Sequence, residues 1–336
     1  DVLPRATVGG IVTNLEAPGR SNQAAGVDGQ VRFGANSLVE GWVTQVWDSD
    51  DALSSAAGQF TTQLGSDKAA VAASYTSIGS TYAPALGFVR RQDQRAVTVN
   101  SVYRPLVTWS ALPILRRVVA EAAGATISGQ DGDLQSNSLA AALSADLYRR
   151  DRVSLGIERQ FERLEDPFTL RDGETVVPGD YTFVQASLSG ETDSSRPVFA
   201  SASASTGGFF SGDRTDLGVN VGWRQSQHLV LEGGLDHTII DLGNGDFTTT
   251  IGSLSALTAF SRELFGRTLV QYDNVSRQLR ANVRLNWIHT PGSDLFVVFN
   301  TAYGLIDEGD DPFDPRRTVV LRDRVAVVKM TYLVLI

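Results

Sequence analysis

Between residues 278 and 289 the chain alternates without interruption. Leu279, Ala281, Val283, Leu285 and Trp287 are apolar, and Arg280, Asn282, Arg284 and Asn286 between them are polar. Successive side chains of a β-strand point to opposite faces, so a period of two over ten or more residues defines a strand with one greasy and one wet face. Residues 217–224 repeat the pattern, with Leu217, Val219, Val221 and Trp223 set against Gly218, Asn220, Gly222 and Arg224. The last thirteen residues do so again: Ala326, Val328, Met330, Tyr332 and Val334 are apolar, while the other set holds Lys329 and Thr331. A long apolar strand left as an open edge invites aggregation, whereas one closed against another strand within a membrane has no edge. The pattern predicts an all-β, transmembrane, antiparallel β-barrel whose last strand closes on its first.

Composition narrows the alternatives. No stretch approaches the ~18 to 20 consecutive apolar residues of a membrane helix, which excludes a helical membrane protein and leaves barrel strands untouched. The 336 residues show no composition break or linker, so a single domain over 1–336 is expected. The chain has no cysteine, which removes thiol catalysis, disulfides and cysteine metal sites. A net charge of −9 without a basic cluster argues against nucleic acid as a partner. Asp1 opens the chain without a basic or apolar leader, as expected if a signal peptide has been removed or the residues belong to a longer protein.

About eighteen strands (sixteen or more) follow from the alternation. They lie near 5–14, 27–33, 38–48, 58–65, 69–78, 95–106, 115–127, 139–147, 153–158, 180–189, 198–207, 217–224, 229–238, 248–260, 266–272, 278–289, 295–304 and 324–336. Long or polar connections fall at 15–23, 79–94, 128–135, 163–179, 241–247 and 305–323; tight ones fall at 34–37, 65–68, 149–152, 225–228 and 290–294. Three depart from the rule: 273–277 is short where a long loop is due, and 107–114 and 190–197 are long for turns. Bacterial barrels pair short periplasmic turns with longer outer loops and hold an even number of strands, so both termini are expected in the periplasm. Residues 251–265 and 110–123 are also compatible with helical spacing. A soluble all-β protein, such as a β-solenoid or a multi-sandwich adhesin, is the competing fold. Aromatics are only 8%, thin for two girdles, although Trp42, Trp47, Trp109, Trp223 and Trp287 lie near or within expected strands.

The stretch Ser261-Arg-Glu-Leu-Phe265, followed by Leu269-Val-Gln-Tyr-Asp-Asn274 and Arg284-Leu-Asn-Trp-Ile-His-Thr-Pro-Gly-Ser-Asp-Leu-Phe-Val-Val-Phe-Asn300, carries a family resemblance. It resembles the C-terminal barrel of a large uncharacterised family of bacterial surface proteins, which usually carry an N-terminal carbohydrate-binding module of the family-9 type. Gly87-Phe-Val-Arg-Arg-Gln-Asp93 and Ala6-Thr-Val-Gly-Gly-Ile-Val-Thr13 look like further pieces. The resemblance spans most of the chain and is specific mainly in 269–300. It implies the outer membrane of a Gram-negative cell and brings no established activity. No carbohydrate-binding module lies in these residues, and the family barrel begins upstream of residue 1, so the expectation is either that strands or a module precede Asp1 or that the chain is a shortened relative. The chain ends on Ile336, where many outer-membrane proteins end in Phe or Trp.

Few residues suggest chemistry. His228, His237 and His289 are the only histidines. His237 follows Asp236, but neighbours on a strand face opposite ways and cannot cooperate directly. No Gly-x-Ser-x-Gly elbow occurs, so no catalytic residues are assigned, no cofactor is expected, and a membrane-embedded hydrolase is the third reading. The acidic segment with Asp307, Asp310, Asp311 and Asp314 is a calcium candidate by carboxylate density, without EF-hand spacing. The wet positions form the functional list: Arg32, Glu158, Asn220, Arg224, Glu232, Asp236, Arg280, Asn282, Arg284 and Lys329, with Asp28, Gln30, Asp146 and Glu162 beside them. They either pair among themselves or line an aqueous path, because eighteen strands enclose more space than side chains fill. Arg224, Arg280 and Arg284 would favour anions there. The first expectation is a non-enzymatic outer-membrane channel or translocation pore. The second is a structural barrel, plugged by loop 79–94 or 163–179, that anchors a surface or periplasmic protein in an envelope complex. Membrane lipid and lipopolysaccharide are partners in either case.

Overall fold

The computed structural model of the protein describes residues 5–108, 112–171, 174–243, 245–306 and 318–333. Eight strands open the chain: β1 (Ala6–Ala17), β2 (Arg20–Phe33), β3 (Ser37–Asp48), β4 (Ser55–Gly65), β5 (Ala69–Ile78), β6 (Gln94–Tyr103), β7 (Leu115–Ser128) and β8 (Leu134–Leu147). They are followed by β9 (Arg152–Leu164), the short pair β10 (Phe168–Arg171) and β11 (Glu174–Val176), then β12 (Gly179–Glu191) and β13 (Val198–Phe209). The remainder is β14 (Gly212–Arg224), β15 (Leu229–Asp241), β16 (Asp246–Ala259), β17 (Leu264–Asp273), β18 (Gln278–Thr290), β19 (Ser293–Ile306) and β20 (Thr318–Thr331). One 3₁₀ turn, Asp51–Leu53, is the only helical element among the described residues.

Eighteen of these strands belong to one sheet, and β10 and β11 form a separate hairpin inside the β9–β12 connection. The ladders are antiparallel between chain neighbours, from β1–β2 through β7–β8 and from β14–β15 through β19–β20. This is the all-β antiparallel barrel class with the strand number expected from the alternation. Both segments of ambiguous spacing are extended: 251–265 contains the end of β16 and the start of β17, and most of 110–123 lies in β7.

One expected loop is absent. Residues 15–23 are nearly all strand, because β1 and β2 continue to a two-residue turn at Pro18-Gly19, with Ala17 opposite Arg20. Proline pre-sets the first turn position and Gly19 takes the second with φ +76°. Polar residues Glu16, Ser21 and Asn22 made the segment look like loop, but they pair in a hairpin beyond the apolar stretch. The other long connections, 79–93 and 165–178, lie on the same side of the meander as Pro18-Gly19. Most connections on the opposite side have two to six residues, and 104–114 is the exception.

Two compact units divide the chain: the described residues of Asp1–Tyr148, Ser154–Ala186 and Gly208–Ser211, and those of Arg149–Val153, Ser187–Gly207 and Gly212–Ile336. In both, one face exposes large apolar side chains, which a soluble domain would cover. In the first unit Val8, Val27, Val43, Phe60, Leu139 and Leu155 are exposed on one face, with Val8 at 67% and Leu139 at 61%. In the second unit Val219, Val221, Leu235, Leu254, Leu285 and Met330 are exposed likewise. Aromatic residues mark both margins of this face. Phe33 and Tyr103, and in the second unit Trp223 and Trp287, lie toward the short connections. Trp47, and in the second unit Tyr272 and Tyr303, lie toward the long ones.

The row Tyr272–Leu279–Tyr303 and the pair Leu264–Trp287 are eight residues apart along β18. That is about 26 Å of strand, or about 20 Å at a tilt of about 40°, near the ~25 Å band of an outer-membrane barrel.

Candidate functional site

The face opposite the apolar one is polar, and register brings its residues together. In the first unit Gln30 lies opposite Glu40 and Asp28 opposite Trp42. Trp42 donates its indole N–H to Gln59 Oε1 at 3.0 Å, and the Ser74 and Thr98 hydroxyls bond at 2.7 Å. Thr7, Asp28, Gln30, Glu40, Trp42 and Gln59 line a cavity of about 360 Å³. Gly9 makes room for Asp28, since a Cβ there would fall 2.5 Å from its Oδ2. Toward the short connections a larger cavity, about 970 Å³, is bordered by Arg5, Gln30, Arg32, Gln63, Asp67 and Arg104.

Loop 79–93 folds onto this polar face. Tyr82 is buried against Val46 and Ala57, with Ala24, Trp42, Ile78 and Val89 packed around them. The Tyr82 hydroxyl is 2.5 Å from Thr44 Oγ1. Asn22 holds the next residues: its amide donates to Ala83 O at 3.1 Å and to Asp48 Oδ2 at 2.8 Å, and its Oδ1 accepts from the Ala85 N–H at 2.9 Å. Arg20 pairs with Asp48 at 3.3 Å. At the far end of the loop, the Gln130 amide donates to Ser77 Oγ, Ile78 O and Gln94 O, and its backbone N–H donates to Asp93. Arg91 donates to Gln135. The loop is therefore fixed at both ends by side chains far away in sequence, Asn22 of β2 at one end and Gln130 and Gln135 at the other.

The second expected plug, 163–179, carries the β10–β11 hairpin. Arg163 grips Asp180 at its base with two bonds of 2.8 and 3.0 Å. Val176 is buried, and the Phe210 ring packs with those of Phe168, Tyr181, Phe183 and Phe209.

In the second unit Asp216 is the hub of the polar face. It accepts from Arg214 Nε at 2.9 Å and Nη2 at 2.8 Å, from Thr238 Oγ1 at 2.7 Å and from Ser205 Oγ at 3.2 Å. Neither Asp216 nor Arg214 was singled out by the sequence pattern, although both fall in the wet phase of β14. Asn220, Arg224, Glu232 and Asp236 share that face, with Gly222 opposite Glu232 and Gly218 opposite Asp236. Arg280 donates to Gln278 Oε1 at 2.9 Å, Arg284 to Asn282 Oδ1 at 2.8 Å, and Asn282 bonds Asn300. A cavity of about 500 Å³ is lined there by Gln271, Arg280, Asn282, Asn300, Arg322 and Asp323. Arg267, outside the expected list, lies directly opposite Arg284. Lys329 lies opposite Phe296 on the same face. In the first unit, Arg32 and Glu158 occupy the positions alternate to the exposed Val31, Phe33, Leu155 and Ile157.

Asp236 and His237 point to opposite faces: His237 lies opposite Leu217 on the apolar side, its Nδ1 2.8 Å from Thr250 Oγ1. His228 Nδ1 is 2.7 Å from Ala259 O in the turn, and His289 rests against Trp287. Among the described residues no group of three or more His, Cys, Asp or Glu is placed to hold a metal ion. The calcium candidates Asp307, Asp310, Asp311 and Asp314 lie outside the described residues, as do Trp109 and the end of the terminal strand at 334–336.

No family model matches the chain, and no curated protein matches it. Solved structures similar to it include a mutant ferric enterobactin receptor (PfeA) from Pseudomonas aeruginosa, with 9% identity and a TM-score of 0.47, covering 96% of this chain and 71% of that one. The siderophore receptor PirA from the same organism has 10% identity and a TM-score of 0.47, covering 98% of this chain and 80% of that one.

Proposed function

We propose that this chain is a non-enzymatic β-barrel of the bacterial outer membrane that conducts small polar solutes, with loop 79–93 as its constriction. The observation that carries the reading is the opposition of the two sheet faces. One exposes Val, Leu and Phe between aromatic margins, as a surface bathed in lipid requires. The other carries Arg32, Glu158, Asn220, Arg224, Glu232, Asp236, Arg280, Asn282, Arg284 and Lys329, which need water or one another. The apolar face meets membrane lipid and lipopolysaccharide, and the short connections and both chain ends face the periplasm. This extends the resemblance to barrel modules of bacterial surface proteins.

The anchoring of loop 79–93 also favours a second reading, a plugged barrel that holds a surface or periplasmic protein. Planar-bilayer recording separates the two. For the first reading the wild-type chain conducts, and Tyr82→Ala or Asn22→Ala, which release the loop, raise single-channel conductance severalfold. A wild type and loop variants that all remain silent, with no sugar uptake in liposome swelling, would overturn the pore and leave the anchor.

A further inference from the structure

Two neighbouring rows cross the polar face of β17 to β20. One runs Arg267–Arg284–Val298–Val327, with Leu257 of β16 on its other side. The next, two residues along each strand, runs Phe265–Asn286–Phe296–Lys329. The pairing of Arg267 with Arg284 is unusual. Residues directly opposite on one face hold their Cβ atoms about 5 Å apart, and like charges so placed are destabilising.

Neither Arg267 nor Arg284 forms an ion pair among the described residues, and no carboxylate stands in either row. Arg284 uses its Nε on Asn282 at 2.8 Å, which leaves the terminal nitrogens of its fork available. In the second row Asn286 Oδ1 is buried without a hydrogen-bond partner, between two phenylalanines. A pair of guanidinium groups matches an oxyanion in a bidentate manner. The adjacent row offers the rings of Phe265 and Phe296 beside the arginine pair.

We infer that Arg267 and Arg284, with Phe265, Phe296 and Lys329, form a recognition site for a small anion whose carboxylate is carried on an aromatic ring. The inference rests on the reading that this face is wet, and it names the class of solute. The carboxylate neutralises the arginine pair, the ring lies on Phe265 and Phe296, and Lys329 adds charge without a fork.

The test uses the full chain folded in detergent, with benzoate as probe, acetate and inorganic phosphate as comparisons, and isothermal titration as readout. Benzoate is expected to bind at least tenfold more tightly than acetate, and Arg267→Gln and Arg284→Gln are each expected to weaken it at least fivefold. Phe296→Leu should weaken benzoate and leave acetate unchanged. Heat-modifiable gel mobility checks that the variants fold. If an arginine variant does not fold, displacement of benzoate by phosphate from the wild type reports on the same pair.

Equal binding of benzoate and acetate, or benzoate binding indifferent to both arginine variants, would overturn the site. A chain that conducts without binding benzoate overturns this site alone. One that binds benzoate without conducting overturns the pore alone.

Discussion

Asp193, in the connection 192–197, shows how a single side chain fixes a turn. It accepts from the Ser195 backbone N–H at 2.9 Å and stands 3.9 Å from Arg150, while Arg196 pairs with Asp151 at 2.7 Å. Hydrogen bonds from Ser195 hold the Asp193 carboxyl below the usual carboxylate range, and Arg150 and Arg196 add smaller contributions in the same direction. A depressed folded-state pKa means stability that is present above the unfolded value, about 3.9, and lost as pH falls through the folded one. Asp193→Asn should therefore melt below the wild type at neutral pH, and the difference should vanish on acidification to about pH 2. Calorimetry of the detergent-solubilised protein checks this; a difference that does not change with pH would remove the charge from the explanation. Such contacts were illegible in the sequence, where 190–197 read only as an overlong turn.

A strand's face is easier to read than its neighbour. The wet phase of β14 was evident from Asn220 and Arg224, but not why Gly222 interrupts it. The Phe199 ring of β13 lies over Gly222, and a Cβ there would fall 2.1 Å from Phe199 Cζ. Gly222→Ala should lower unfolding stability by about 1 to 3 kcal/mol through overpacking, and adding Phe199→Leu should restore most of it. Urea unfolding followed by tryptophan fluorescence measures both; an unperturbed single variant would contradict the contact. β17 shows the converse. Phe265 and Leu269 share the polar face with Arg267, which blurs the alternation of this strand and hid the arginine opposite Arg284.

Most sheet strands expose large apolar side chains on one face, and that arrangement predicts how substitutions divide by face. Val283, opposite Thr268 and Phe299 on the apolar face, is 40% exposed. Asn282, its neighbour, faces the other way and bonds Asn300. Val283→Arg should destabilise the liposome-inserted protein by about 2 to 4 kcal/mol, the cost of a cation on the lipid side near mid-depth. Asn282→Arg should cost roughly a third of that or less, chiefly the lost amide contact. Equilibrium unfolding from liposomes is the measurement, and equal penalties at the two positions would argue that the apolar face does not meet lipid.

The period of two in the chain was enough to establish the all-β class, the approximate number of sheet strands and the polarity of the faces of the regular strands. Alternation follows from the covalent geometry of an extended backbone and needs no partner. The partners themselves were decided by the fold. A one-residue slip between strands exchanges the faces, but a two-residue slip preserves every apolar and polar position, so the pattern leaves register open in steps of two. Only the assembled ladders set Arg267 opposite Arg284 and Gln30 opposite Glu40. The same holds for loop 79–93. Its anchor Asn22 is 61 residues from Ala83, and no local propensity brings the two together. Burial of Tyr82 against Val46 and Ala57, available only once β3 and β4 are paired, holds the loop on the polar face.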